Sequence, residues 1–234
     1  MPYGYYGFYW MDYTYIFVII GAVICLIASA GMNSTFSRYQ RVRSMSGMTG
    51  AMAAERILRD AGIHDVQVQH IQGNLTDHYN PMNKTLSLSD SVYNSTSVAA
   101  VGVAAHECGH AIQHQEGYAP LKLRSFSVPL ANIGSRLSWP IIVLGLILGW
   151  SGLLEVGILL FVFVVAFQLI TLPVEFDASH RAIRILEAKQ LFGDQELQGA
   201  KKILTAAALT YVAALASAIL QLVRLILISR RNDD

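Results

Sequence analysis

The sequence predicts an α-helical integral membrane protein with about four spans and a small cytosolic α+β domain. Hydrophobic residues make up 53% of the 234 positions and charged residues only 14%. The mean hydropathy of +0.42 is too high for an ordinary soluble domain of this size. Period-two alternation in one polar segment adds short strands to a chain whose other patterns are helical.

Apolar stretches predict the spans, because about 20 apolar residues cross a bilayer. We place the four spans at 15–32, 128–149, 153–173 and 203–229. The helix of the second span is expected to begin near Pro129 and to bend at Pro140, because proline interrupts the hydrogen bonds of a helix. The sequence "GWSG" (149–152) is the expected turn into the third span.

The distribution of basic residues predicts the topology. Most of the 17 lysine and arginine residues lie between the first and second apolar stretches or between the third and fourth, and residues 1–14 have none. By the positive-inside rule both basic segments are cytosolic, and the aromatic N-terminus lies outside. Four spans would leave Arg230 and Arg231 outside, so the last helix either ends at the outer headgroups or is not a full span. A net charge of +1 gives no reason to expect a nucleic-acid partner.

The cytosolic domain is predicted over residues 33–127. An amphipathic helix is expected over 49–62, with Thr49 as N-cap and Gly62 as its end. Two or three strands follow, in "DVQVQHIQG", "KTLSLSD" and the polar segment between them. A helix over 96–115 comes next, capped by Ser95 or Thr96 and ended near Gly117. A separate polar helix is expected in the cytosolic segment 174–202.

The segment "AAHECGHAIQHQ" (104–115) carries the motif H-E-x-x-H. Residues four apart lie on one face of a helix, so His106 and His110 can bind one ion and Glu107 can reach a water on it. A helix with exposed polar residues is the simpler alternative, but the apolar surroundings leave these groups in need of partners. His114 is eight residues from His106, roughly 12 Å along the helix, so it is a rim residue rather than a third ligand.

The third ligand must come from elsewhere. "LPVEFDASHRAIRILEAK" (172–189) begins where the third span reaches the cytosol and contains Glu175, Asp177 and His180. We predict that Glu175 completes a His2Glu zinc site with an open fourth position. The alternative for Glu175 is an acid that favours the N-terminus of a helix.

Three segments carry a family resemblance: "HECGHAIQHQEGYAPLKLRS", "LPVEFDASHRA" and "KKILTAAALTYVAALA". Together they resemble the YugP-type neutral zinc metallopeptidases of bacterial membranes over nearly the whole chain. The layout is more distantly similar to HtpX-type proteases and CAAX prenyl proteases, in which H-E-x-x-H and a glutamate of E-x-x-A-D hold zinc. The resemblance implies a zincin-like, gluzincin-type cytosolic domain with Glu175 as third ligand. Ser179 stands where the distant pattern has Asp.

These observations predict a zinc-dependent metalloendopeptidase with one Zn²⁺ per chain. Zinc lowers the pKa of water toward about 7, and Glu107 is expected to act as general base. Asp177 or Ser179 could orient a ligand imidazole, and His180, Arg181 or His78 could stabilise the oxyanion. An extended substrate could add to the sheet at "LTDHYNP" or "KTLSLS". The expected partners are the lipid bilayer and protein substrates, above all membrane proteins, at the cytosolic face of the bacterial plasma membrane.

Two alternatives remain at this stage. One is a site-2-type intramembrane protease, which would carry H-E-x-x-H inside a span and use a distant Asp as third ligand. The other is a catalytically inactive membrane scaffold that contains zinc. Structural zinc usually has four protein ligands, whereas this motif places Glu107 beside an open position, so the sequence favours catalysis.

Overall fold

The computed structural model describes residues 13–232, so the predicted aromatic N-terminus lies almost wholly outside the described residues. The described chain is mostly helical, with a small sheet. The helices are α1 (Tyr15–Gln40), α2 (Gly50–Asp60), α3 (Val98–Gln115), α4 (Ala119–Leu148), α5 (Ser151–Ala188) and α6 (Asp194–Asn232). The strands are β1 (Gln67–His70), β2 (His78–Asn80) and β3 (Thr85–Leu88).

Four helices, α1, α4, α5 and α6, are long and apolar enough to cross a membrane. Many of their large apolar side chains are exposed, as expected of surfaces that face lipid rather than water. The prediction that the second of these helices begins near Pro129 was wrong: α4 begins at Ala119, because helix formers such as Leu, Lys and Arg precede Pro129. Both Pro129 and Pro140 lie inside α4, and the predicted bend at Pro140 stays a prediction. These helices account for the four spans that the sequence predicts.

The chain divides into two compact units. The first comprises Met1–Ile27, Ser127–Gln168 and Val212–Asp234. Its small buried core consists of Ile142, Leu154, Phe161, Ala218 and Leu225. The predicted turn at "GWSG" is confirmed: α4 ends at Leu148, Gly149 has a φ of +61°, and α5 begins at Ser151. A positive φ is the conformation that glycine adopts at least cost, which explains the residue at that position.

The second unit comprises Ala28–Phe126 and Leu169–Tyr211. It holds α2, the sheet and α3, and its core is formed largely by small and branched apolar side chains from these elements. Thr49 caps α2 as predicted, because its side chain accepts a hydrogen bond from the backbone N–H of Met52. Gly62 follows the helix with a φ of +71°.

The sheet has three strands in the order β1-β3-β2. β1 is parallel to β3, and β2 is antiparallel to it. Because β3 is paired on both sides, "KTLSLS" cannot offer a free edge to another chain, whereas β2 is an edge strand. β2 lies in the polar segment "NLTDHYNPMN", so the sheet has three strands rather than two.

Two further sequence-based predictions differ from the structure. α3 begins at Val98 and is capped by Ser97, whose side chain accepts from Ala100 N, so the prediction of Ser95 or Thr96 as cap was wrong. Ser95 instead donates its hydroxyl to Ser97 Oγ. No separate polar helix follows the third span, because α5 continues unbroken past Pro173 to Ala188. Residues 174–188 include strong helix formers such as Ala, Arg, Leu and Glu, and they contain no glycine that would end the helix.

Candidate metal centre

Three side chains from two helices of the second unit converge on a small volume. His106 and His110 lie on α3 and Glu175 on α5, and one potential ligand atom from each falls within 4.8 Å of the others. Glu175 Oε2 is 3.3 Å from His106 Nε2 and 3.6 Å from His110 Nε2. The structure thus brings together the three residues that the sequence singles out as ligands.

These separations match the spacing of ligands around zinc. Two atoms bound at about 2.0–2.1 Å with a tetrahedral angle lie roughly 3.3–3.4 Å apart. Glu175 Oε2 is buried and has no hydrogen-bond partner, although a buried carboxylate oxygen is costly without one. Two imidazole nitrogens and an unsatisfied carboxylate oxygen are the donor set that zinc prefers. The residues present therefore fit a zinc ion.

The electrostatics of the cluster also favour a cation. Burial acts to lower the pKa of His110, but the nearby Glu175 carboxylate, together with the charge of Glu107, outweighs it and raises that pKa. Two buried carboxylates thus create a negative potential at the imidazole. A divalent cation at this place would be stabilised by the same potential.

Gly109, between the two histidines, allows α3 to approach α5 closely. A Cβ atom at this position would lie 2.6 Å from the carbonyl oxygen of Ala178 on α5, which is closer than real Cβ contacts allow. The backbones of the two helices therefore meet at the level of the metal ligands. The glycine of "HECGH" serves the close helix packing that brings Glu175 to the histidines.

The Nδ1 atoms of the two histidines have different partners. His106 Nδ1 is 3.2 Å from Ser179 Oγ, and His110 Nδ1 is 3.0 Å from Gln113 Oε1. Ser179 thus occupies the place that the sequence analysis proposed for a residue that orients an imidazole. Gln113 is 0% exposed and was not identified from the sequence.

Glu107 and His114 have different settings, and His114 does not join the ligand cluster, as its distance from His106 along the helix predicts. Glu107, which follows His106 in sequence, is buried, with 7% of its surface exposed. Its charge contributes to the negative electrostatic potential at His110. His114 lies outside the cluster, and its Nδ1 is 2.8 Å from the hydroxyl of Tyr79 on β2. That contact fixes the edge strand β2 against α3.

The other predicted residues lie around the cluster in different settings. Asp177 forms an ion pair with Arg181 and accepts a hydrogen bond from Gln113, and Arg181 also pairs with Glu116 at the end of α3. His180 is exposed and lines an apolar groove of about 250 Å³ that also includes Ser179. His78 is exposed on β2 and its ring contacts the carbonyl of Thr76. None of the three oxyanion candidates belongs to the ligand cluster.

Two further residues near Glu175 were missed by sequence reasoning. Arg124 Nη2 is 3.9 Å from Glu175 Oε1, and Arg124 Nε is buried without a hydrogen-bond partner. Tyr211 of α6 also interacts with the Glu175 carboxylate. Both lie in segments that carry the family resemblance, "HECGHAIQHQEGYAPLKLRS" and "KKILTAAALTYVAALA". The sequence signals that could have indicated them were the charge of Arg124 in the first segment and the phenol of Tyr211 in the otherwise apolar second segment.

Comparison with known proteins identifies the family. Residues 14–230 match the family described as "Putative neutral zinc metallopeptidase". The chain is also 43% identical over 221 residues to "Putative membrane protease YugP" of Bacillus subtilis (strain 168), covering 94% of this chain and 98% of that protein. No solved structure matches the chain. The family's description implies zinc, for which the His106, His110 and Glu175 cluster is the candidate site. On the strength of both matches, the chain belongs to the YugP-type family of membrane zinc metallopeptidases.

Proposed function

We propose that this protein is a zinc metalloendopeptidase that hydrolyses peptide bonds of proteins at the cytosolic surface of the bacterial plasma membrane. The observation that carries the proposal is the buried Glu175 oxygen, which has no hydrogen-bond donor and lies at zinc-ligand spacing from two imidazoles. His106, His110 and Glu175 would hold the metal, which leaves a fourth position for chemistry.

Glu107 is the proposed general base. Zinc in this site would supply a nucleophile at neutral pH by acidifying water. The Glu107 carboxylate would accept the proton from the attacking water and then deliver it to the leaving amine. Its burial supports this role, because a carboxylate with little access to bulk solvent keeps the proton that it accepts close to the reacting atoms.

Arg124 is the proposed donor to the substrate carbonyl. Its Nη2 atom is too far from Glu175 Oε1 for a hydrogen bond, and its Nε atom has no partner. A guanidinium has five N–H donors, so this side chain has capacity to bind an oxygen on which negative charge develops. By contrast, Arg181 already makes contacts with both Asp177 and Glu116.

The edge strand β2 is the proposed docking place for an extended substrate. β2 pairs with β3 on one side only, and Tyr79 on this strand contacts His114 on the histidine helix. A peptide that added to the open edge would run beside the helix that carries Glu107. The basic segments between the spans support a cytosolic site, and membrane proteins or their cytosolic tails are the proposed substrates.

The alternative of a site-2-type intramembrane protease has less support. Its motif would lie within a span, whereas α3 is not among the described helices that are apolar enough to cross a membrane. The alternative of an inactive zinc scaffold predicts the same ligands without turnover, so it requires a direct test of Glu107.

Substitution Glu107→Gln tests the proposal. The purified variant should keep zinc and fold, and its rate of casein cleavage should fall by about 10²–10⁴-fold because the general base is lost. Glu187→Gln, at an exposed position on α5, is a matched control that should cleave like the parent. If Glu107→Gln cleaves casein or itself as fast as the parent, the proposed mechanism is wrong.

A further inference from the structure

Gln113 lies at the centre of a buried hydrogen-bond network that connects α3 to α5. Its amide nitrogen donates to the carbonyl oxygen of Val174 at 2.9 Å and to Asp177 Oδ2 at 2.8 Å. Its amide oxygen is 3.0 Å from His110 Nδ1. All the hydrogen-bonding groups of this fully buried side chain therefore point at specific partners.

The partners on α5 determine which way the amide faces. A backbone carbonyl can only accept, and a carboxylate paired with Arg181 also accepts. The side of the amide that faces Val174 and Asp177 must therefore be the nitrogen, which uses both of its hydrogens there. Only the oxygen remains for His110.

The orientation of Gln113 in turn determines the state of the imidazole. An amide oxygen is an acceptor, so His110 Nδ1 must carry a hydrogen and donate it. In a neutral imidazole the other nitrogen, Nε2, then bears the lone pair. This is the nitrogen that faces Glu175 Oε2, at 3.6 Å.

The network extends beyond Gln113. Arg181 Nε is 2.5 Å from Asp177 Oδ2, and Arg181 Nη1 is 2.6 Å from Glu116 Oε2. On each helix the participating residues are spaced by three or four, so they share one face. The amide of Gln113 is thus held by α5 on one side while it holds a ligand of α3 on the other.

We propose that Gln113 is a positioning residue that fixes His110 in the tautomer and orientation needed to bind zinc. This inference rests on the proposed zinc site. The contrast with His106 makes it specific: a serine hydroxyl can donate or accept, so Ser179 leaves the tautomer of His106 open. Gln113 therefore contributes more to metal affinity than Ser179.

The test compares zinc affinity, measured by competition with a chelator, in the parent, Gln113→Met and Ser179→Ala. Methionine keeps a similar size and flexibility but removes the amide. Gln113→Met should bind zinc about 10–100-fold more weakly, the usual effect of losing the partner of a ligating histidine, and Ser179→Ala should lose less. Asp177→Ala, at a half-buried position, should give an intermediate loss and serves if Gln113→Met does not fold.

A second readout is independent of overall stability. In the cobalt(II)-loaded parent, the hyperfine-shifted Nδ1–H proton of His110 should exchange slowly with solvent, and in Asp177→Ala or Gln113→Met it should exchange faster. Parent-like zinc affinity and parent-like exchange in a folded variant would overturn the assignment of Gln113 alone. A parent that binds no zinc would contradict the proposed function, and this assignment with it.

Discussion

The two compact units bury different kinds of polar residue. Among the described residues, the buried polar residues of the first unit are Thr14, Ser138 and Ser229, all with hydroxyl side chains. The second unit also buries hydroxyl side chains, but it adds charged or ionisable groups, namely Glu107, His110, Glu175 and Glu196. Hydroxyls within apolar helices can bond to backbone carbonyls, whereas a buried carboxylate or imidazole needs a specific partner or a metal.

The first unit therefore depends on an apolar environment, whereas the second unit carries the groups that could bind a metal and react. The first unit exposes many large apolar side chains and has a small core, while the second has an extensive core of its own. Changes of polarity should therefore disturb the first unit, and changes of spacing or charge should disturb the second.

The largest expected effect comes from placing a charge on an exposed apolar position of the first unit. Val23 is 46% exposed near the middle of the first predicted span. Val23→Arg should weaken membrane insertion by about 2.5–3.5 kcal/mol, the cost of arginine at the centre of a span. The measurement is the fraction of protein recovered in membranes, with Val23→Leu as the control. Equal insertion of the arginine variant would contradict the view that this face contacts lipid.

A change of spacing in the second unit should have the next largest effect. Gly109→Ala places a methyl group 2.6 Å from the backbone oxygen of Ala178, so we expect a destabilisation of about 1–3 kcal/mol and weaker zinc binding. Both are measured by thermal unfolding of the purified protein with and without added zinc.

Gly102, two turns earlier on the same helix, provides the matched control. A Cβ there would meet only Ala200, at an ordinary 3.6 Å. Gly102→Ala should therefore be neutral or stabilise α3 by roughly 0.5–1 kcal/mol. Similar losses in both variants would show that α3 tolerates no added methyl group, rather than that α5 approaches specifically at Gly109.

The contrast between these glycines also shows what sequence reasoning could reach. The spacing of His106, Glu107 and His110 on one helix face follows from helix geometry alone. Glu175 could be selected because few acids follow at a suitable depth. Gln113 and the close approach at Gly109 could not be found this way, because both depend on the packing of α5 against α3. The cap at Ser97 was missed because three successive residues, Ser95, Thr96 and Ser97, are all good caps.

The smallest expected effect concerns Asp77, a half-buried acid that is not part of the ligand cluster. Burial raises the pKa of Asp77 even though Ser89 donates two hydrogen bonds to it. A raised pKa in the folded state means that folding favours the protonated acid. The contribution is complete below the ordinary aspartate pKa of about 3.9 and is lost as pH rises through the higher folded value.

Asp77→Asn removes this titration. The melting temperature of the parent relative to Asp77→Asn should therefore fall as pH rises from just below 4 toward neutrality. Thermal unfolding of both proteins across this range gives the difference directly. Parallel pH profiles would show that Asp77 is not desolvated in the folded protein.

The central claim is that His106, His110 and Glu175 form one zinc site, and metal content tests it most directly. The purified parent should contain about one zinc per chain, and Glu175→Ala should lose it because two imidazoles alone hold zinc weakly. Glu187→Gln, in the same helix and exposed, should keep the full content. Loss of zinc in Glu175→Ala alone is the result that we predict, and full retention of zinc in that variant would contradict the site.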